Sequence, residues 1–313
     1  MNDTKKLTEG ALITGVYLIL LFVTLVPILS AFVMILLPLP FVIYTSRHGI
    51  KPGLLVVAIA SLISMILTII YLPLTLMMGA VGLLIGHAIN KKRTAYETWA
   101  YGTLGFIGGL LFTLAFTQVL LGVSFVQEIE TIATEQVDWY ISLMEGVGLE
   151  SEESVDMEAL FIEQIHYFVN LMPAFVAIIA VFLAFLVQWV SYKVLNRMED
   201  KKLYFPPFRN LKLPTSIIWL YLIVIIASFI TLDPNGVMFI GVQNALIILE
   251  MLLVIQGFSF IFFFTHYKKW SKVIPIASIV LTILFPIFLL YFARILGIID
   301  IGLNLRARLQ KNK

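Results

Sequence analysis

No lysine or arginine occurs between Thr94 and Tyr192, while Lys91, Lys92 and Arg93 close one end of that window and Lys193 and Arg197 the other. Two long apolar stretches inside it flank an acidic patch. Cytoplasmic loops of membrane proteins collect Lys and Arg, and translocated loops are depleted of them. The window therefore reads as two membrane crossings with an acidic segment between them on the far side.

The rest of the chain repeats the design. Hydrophobic residues make up 60% and charged residues 13%, against about one-half and one-quarter in soluble domains. So few charges cannot cover that much apolar surface in water, so the bilayer is the solvent for most of the chain. Its spans are helical by length, and the fold class expected is an all-α, polytopic bundle. The net charge of +2 is small and segregated along the chain, an orientation signal that points to the lipid bilayer as partner and not to nucleic acid. There is no cysteine, which excludes disulfides and thiolate metal sites. The first apolar stretch is too long for a signal peptide and is expected to be retained.

A helical crossing needs about 20 apolar residues. Ala11 to Ser46 holds two crossings broken at Pro27, and Gly53 to Asn90 two more with a turn near Leu72-Pro73. Trp99 to Val123 is the fifth and Tyr167 to Tyr192 the sixth, with a kink at Pro173. A basic, proline-containing loop follows over 193–213. Ile217 to Leu232 is the seventh, turning at Asp233-Pro234-Asn235-Gly236. Val237 to Thr265 is the eighth and Val273 to Ala293 the ninth. Basic residues flank the last block on both sides, so a single crossing there conflicts with the charge rule. A hairpin at Pro286 would resolve the conflict, but its first half is short for a span. About nine crossings are expected, with eight and ten as alternatives.

The segment 124–166 holds eleven Asp and Glu and no Lys or Arg. Val126, Ile129, Ile132, Val137, Ile141 and Met144 recur at helical intervals, and Leu160, Ile162, Ile165 and Phe168 resume after a break over Gly146–Asp156. It reads as an extracytoplasmic helical hairpin, with 47–52, 91–93 and 193–213 cytoplasmic.

Between helices in lipid, close packing needs small residues, because lipid tails already satisfy apolar surface. Gly82 and Gly86 form a GxxxG on the fourth crossing and Gly105 and Gly109 another on the fifth. Close packing of these two helices within the chain is expected. The most unusual residue is Glu250, in the middle of the eighth crossing, with Gln243 on the same face and Asn244 beside it. A carboxylate at that depth faces a cavity, finds a partner or is protonated. On an uninterrupted antiparallel ninth helix, Arg294 falls about 16 Å away along the axis, and Ser278 and Thr282 become the expected neighbours. Arg294, Asp300 and Arg306 then read as interfacial anchors. His48, His87, His166 and His266 form no HxxxH or HExxH pattern, and no P-loop, dinucleotide fingerprint or nucleophile elbow is present. No cofactor, metal or enzymatic activity is expected.

Four short stretches in this order resemble the YybS-like family of multi-pass bacterial membrane proteins. They are Leu7-Thr8-Glu9-Gly10-Ala11, the loop from Phe205 to Pro214, Gln256-Gly257-Phe258-Ser259, and Leu296-Gly297 through Asp300 with Arg306. The resemblance implies a bacterial plasma-membrane protein and carries over no catalytic residue. The first six crossings are also similar to the substrate-capturing component of energy-coupling-factor transporters, through Gly10, Ala11 and Gly15, Lys51-Pro52-Gly53, and Gly79–Gly86 running into Lys91. That similarity implies ligand capture and a membrane-protein partner approaching small residues. The three extra crossings depart from that family's six-helix pattern.

The expected function is small-molecule transport or ligand capture, with Glu250, Asn244 and Gln243 lining the site. The alternative is a non-enzymatic scaffold or assembly protein of the envelope, acting through the acidic segment and the basic loop. The orientation has a direct check. A tagged reporter inserted near Glu150 is expected to be reached from outside intact cells, and access from the cytosol alone would reverse the topology.

Overall fold

In the computed structural model, residues 3–146, 152–230, 233 and 236–311 are described. The chain divides into two compact units, Met1–Phe205 and Pro206–Lys313. The described secondary structure is helical throughout. Eight of the described helical stretches are long and apolar enough to cross a membrane, and Ser216–Ser228 and Val273–Leu284 are shorter apolar helices.

The first unit contains α1 (Asp3–Val23), α2 (Pro27–Leu36), α3 (Leu39–His48), α4 (Ile50–Leu67), α5 (Tyr71–Asn90), α6 (Ala95–Leu121), α7 (Phe125–Gly146), α8 (Glu152–Asn170) and α9 (Met172–Glu199). Proline starts several of these helices, because a first-turn residue needs no intrahelical N–H partner and the ring presets φ. Pro27 opens α2 and Pro173 lies in the first turn of α9. Pro73 likewise sits in the first turn of α5, so the reversal falls over residues 68–70, just before the expected Leu72-Pro73. At α6 the start is set by a capping box: Glu97 N–H donates to Thr94 Oγ1 at 3.3 Å, and Thr94 N–H donates to the Glu97 carboxylate at 2.8 Å. The helix stops at Gly122, whose φ of +67° suits glycine.

Glycines decide which helices touch. On α6, a Cβ at Gly105 would meet Val81 Cα of α5 at 2.9 Å, and Gly109 abuts Met77 of the same helix. The GxxxG of α5 faces elsewhere. Gly82 lies against Phe41 and the Pro38 carbonyl, and Gly86 against Thr45 and the Val42 carbonyl, all on or beside α3. So α5 is gripped from both sides, by α6 through glycines of α6 and by α3 through its own. The core follows from this layering: Tyr17, Phe41, Val81, Ile85, Phe106 and Ala184 are all buried. Several of its buried polar groups are hydrogen-bonded to side chains or to backbone carbonyls. Tyr17 OH donates to Thr75 Oγ1 at 2.8 Å, Thr75 sits 3.0 Å from Ser64 Oγ, and Trp99 Nε1 donates to the Val181 carbonyl at 2.8 Å.

Helices α7 and α8 carry the acidic stretch and pack on each other. The Tyr140 and Phe161 rings meet edge to face at 6.2 Å, and His166 Nδ1 lies 3.4 Å from Glu130. Part of the expected break between them, residues 147–151, lies outside the described residues.

The second unit contains α10 (Ser216–Ser228), α11 (Val237–Tyr267), α12 (Val273–Leu284), α13 (Pro286–Leu303) and α14 (Leu305–Lys311). Residues 234 and 235 of the expected turn lie outside the described residues, and Gly236 N–H donates to the Asp233 carbonyl at 2.8 Å. The single ninth crossing expected over Val273–Ala293 is not formed. Phe285 leaves helical geometry (φ −128°, ψ 63°), because the residue before a proline avoids it and Pro286 cannot continue the ladder. Pairings of α11 with α13 and α14 rise together along the chain: Glu250 with Arg294 and Gln256 with Asp300 on α13, then Ser259 with Arg306 on α14. The two helices therefore run parallel, with α12 as the return stroke between them. The basic tail around Arg306 thus comes back to the end of α11 that carries Lys268 and Lys269, where Tyr267 OH donates to the Leu309 carbonyl at 2.7 Å.

Adjacent glycines of α6 give a test of the packing. Gly109→Leu drives a side chain into Met77, and is expected to cost about 1–3 kcal/mol by overpacking. Gly108, with nothing within 4 Å of a built Cβ, should accept leucine with a change of about 0.5 kcal/mol or less. Thermal unfolding of the two purified variants in one detergent distinguishes them.

Candidate functional site

In the second unit, α11 and α13 cross with backbones in contact. A Cβ on Gly257 would collide with the Ala293 carbonyl, and one on Gly297 with the Leu253 carbonyl. Only glycine permits this approach on both sides. The crossing sets polar side chains of α11 directly against those of α13.

Toward the basic ends of the helices lies a buried cluster. Asp300, at 1% exposure, receives Arg306 Nε at 2.9 Å and Arg306 Nη2 at 2.8 Å on Oδ2. Gln256 Nε2 donates to the same oxygen at 2.5 Å. Arg306 also donates from Nη2 to Ser259 Oγ at 3.1 Å and from Nη1 to the Arg209 carbonyl at 2.7 Å. The Ser259 hydroxyl in turn lies 2.8 Å from the carbonyls of both Phe208 and Leu211. Gln256 Oε1 accepts from Leu213 N–H at 2.9 Å.

These partners explain the loop. Two prolines and a 3₁₀ turn over Phe208–Asn210 leave the carbonyls of Phe208, Arg209 and Leu211 without strand or helix partners beyond that turn. Buried backbone groups need some other partner, and Ser259 and Arg306 supply it. Arg306, Asp300, Gln256 and Ser259 together make a closed, satisfied network. Reading Asp300 and Arg306 as interfacial anchors is thereby corrected: they pair in the interior of the unit.

The second polar group lies further along the same helices. Glu250 bonds Arg294 Nη1 and accepts from Tyr221 OH of α10 at 3.3 Å. Arg294 also lies over the Tyr291 ring, 4.8 Å from its centroid. The expectation that Glu250 has no basic partner at its depth is therefore corrected. That inference placed Arg294 on an unbroken antiparallel helix, but the reversal at Pro286 brings it back to the level of Glu250. Ser278 and Thr282, the expected neighbours, bond backward along α12 to the carbonyls of Pro275 and Ser278, both at 2.7 Å. Of the other two candidates, Asn244 is buried and donates to the Ile240 carbonyl at 2.8 Å, while Gln243 is half-buried beside it. They lie about 10 Å from Glu250 along the α11 axis.

Unlike the buried network, this pair is partly open, with 38% of the Glu250 side chain and 18% of Arg294 exposed.

A third ionic group, in the first unit, went unnoticed in the sequence. Arg47 bridges Glu9 and Glu199, His48 Nε2 lies 2.9 Å from Glu9, and Lys201 reaches Glu199 at 2.7 Å. It ties the ends of α1, α3 and α9 around an open cavity of about 820 Å³. The one sequence cue was Glu9, the lone acidic residue of the opening stretch Leu7–Ala11. Among the described residues, no group of His, Asp or Glu has a metal-binding arrangement.

Long apolar helices with charges confined to their ends and to paired interior positions define a multi-pass membrane protein. Residues 15–301 match the family described as "Predicted membrane protein (DUF2232)", and the chain belongs to that family. It is 29% identical over 315 aligned positions to Uncharacterized protein YybS of Bacillus subtilis (strain 168), covering 99% of this chain and 100% of that protein. No solved structure matches. The stretches that carried the YybS-like resemblance have clear places in the structure: three meet in the Asp300 network and the fourth supplies Glu9.

Removing one member of the buried network strands a charge. Asp300→Ala or Arg306→Ala is expected to lose about 3–5 kcal/mol. Because the two residues share one interaction, the double variant should lose less than the sum of the singles. Thermal unfolding of the four proteins measures this, and faster tryptic cleavage after Arg209 and Lys212 should report release of the loop.

Proposed function

We propose that this is a non-enzymatic plasma-membrane protein that captures or transports a small charged molecule, with Glu250 and Arg294 as the recognition pair. The carrying observation is a paired but partly open acid and base in the middle of an apolar helix. Helix α11 has 31 residues, about 46 Å at 1.5 Å per residue, and Glu250 lies near its midpoint. Ionised groups at that depth are costly and belong to water-filled cavities or ligand paths. An opposed carboxylate and guanidinium suit a ligand with a carboxylate, an amine or both, which enters by exchanging with one partner. Tyr221 offers a hydroxyl to the same ligand. In this reading Asn244 and Gln243 extend the polar path along α11, and the basic clusters lie on the cytoplasmic side, as positive-inside orientation requires.

The acidic α7–α8 hairpin supports a second reading, a scaffold for envelope assembly. It exposes Ile132, Trp139 and Leu143 next to acidic side chains, a surface suited to a basic, partly apolar partner. A pull-down with and without residues 124–166 tests it: loss of a partner on deletion supports the scaffold, and retention of every partner removes it.

For the ligand reading, purified protein in nanodiscs is screened by thermal shift against amino acids, small carboxylates and amines. A ligand at about 100 times its Kd stabilises by about 2.7 kcal/mol. That stabilisation should appear in the wild type and vanish in Glu250→Gln and Arg294→Gln variants that insert normally. Equal stabilisation in all three, or uptake unchanged by Glu250→Gln, would remove the pair from the site.

A further inference from the structure

A slot between α1 and α4 in the first unit has a character of its own. It encloses about 440 Å³, with Gly10, Ala11 and Gly15 of α1 facing Leu55 and Ile59 of α4, and Lys6 at one end. The hydroxyl of Thr14, which also lines it, is used internally, donating to the Gly10 carbonyl at 2.9 Å. From Lys6 to Leu18 the slot runs about 18 Å along α1. It is apolar along its length and cationic at one end.

The cationic end is doubled. Lys51, Leu55, Ile59 and Ile63 recur every four residues on α4 and so share one face. Lys51 is exposed and lies one turn before Leu55, at the start of α4. Tyr44 OH donates to the Lys6 carbonyl at 3.2 Å, and α3, which carries Tyr44, leads within a few residues into α4. Lys6 and Lys51 are therefore at the same end of the bundle.

We infer that this slot is a specific site for an anionic phospholipid, with an acyl chain along the glycine-floored groove and the phosphate held between Lys6 and Lys51. Basic pockets between transmembrane helices recognise anionic headgroups, at about 1 kcal/mol per lysine near the surface. The apolar walls and small-residue floor accommodate a flexible chain where a bulkier floor would close the slot. A second copy of this protein fits less well. Copies related by a two-fold axis along the membrane normal point the same way, so their Lys6 and Lys51 ends would meet as like charges. This assignment is independent of Glu250 and Arg294.

Native mass spectrometry of the full chain, with phosphatidylglycerol or phosphatidylcholine supplied, tests it. Wild type should retain phosphatidylglycerol about thirtyfold better than phosphatidylcholine, and K6Q/K51Q should abolish that preference. Gly15→Leu fills the slot. Nothing lies within 4 Å of a Cβ at Gly15, so the fold has room for the side chain while the acyl chain is displaced, and retention of both lipids should fall. If Gly15→Leu does not fold, the lysine pair decides alone. Equal retention of the two lipids by wild type, or an unchanged preference in K6Q/K51Q, overturns the site. In a chain without native cysteine, a disulfide-linked dimer of Gly15→Cys would assign the slot to a second copy and overturn it as well.

Discussion

The second unit depends on one contact: two helix backbones touching at Gly257 and Gly297. In hydrocarbon there is no hydrophobic drive between helices, so association rests on close packing and on hydrogen bonds that proximity makes reachable. With any larger residue at either glycine, the axes separate. Gln256 then loses Asp300, and Glu250 loses Arg294. The polar chemistry of the unit is a consequence of this backbone approach, not an addition to it.

The same approach produces two polar groups with opposite properties. Around Asp300 every donor and acceptor named is matched, and the exposure of Gln256 and Ser259 is nil. Such a network fixes one arrangement of loop and helices, because each alternative leaves a buried group unpaired. Around Glu250 the charges are paired but still accessible. Two pairs of similar composition therefore differ in setting, one buried and matched throughout and the other partly open.

Much of this was legible in the sequence. Apolar length and the spacing of lysines and arginines marked the spans, because the bilayer imposes its thickness on every segment. Small residues at intervals of four marked Gly105 and Gly109 as a packing face, although not that Gly82 and Gly86 serve a different neighbour, since GxxxG carries no address. Glu250 stood out because a mid-span carboxylate is rare. Its partner stayed hidden for a topological reason. Val273–Leu284 is short for a crossing, so a reversal at Pro286 looked costly, and without it Arg294 falls at the wrong depth. The loop from Phe205 to Pro214 was visible as a motif, but its purpose was not. Backbone carbonyls have no letter in a sequence, and it is they that Ser259 and Arg306 bind.

Chain order gives the Asp300 network a consequence for biogenesis. Gln256 and Ser259 leave the ribosome with α11, well before the carboxylate and guanidinium that complete their surroundings. Between those moments α11 presents an amide and a hydroxyl that only the preceding loop can engage. A nascent chain arrested in α12 therefore holds Gln256 and Ser259 through the loop alone, with the Gln256 amide nitrogen still lacking its carboxylate.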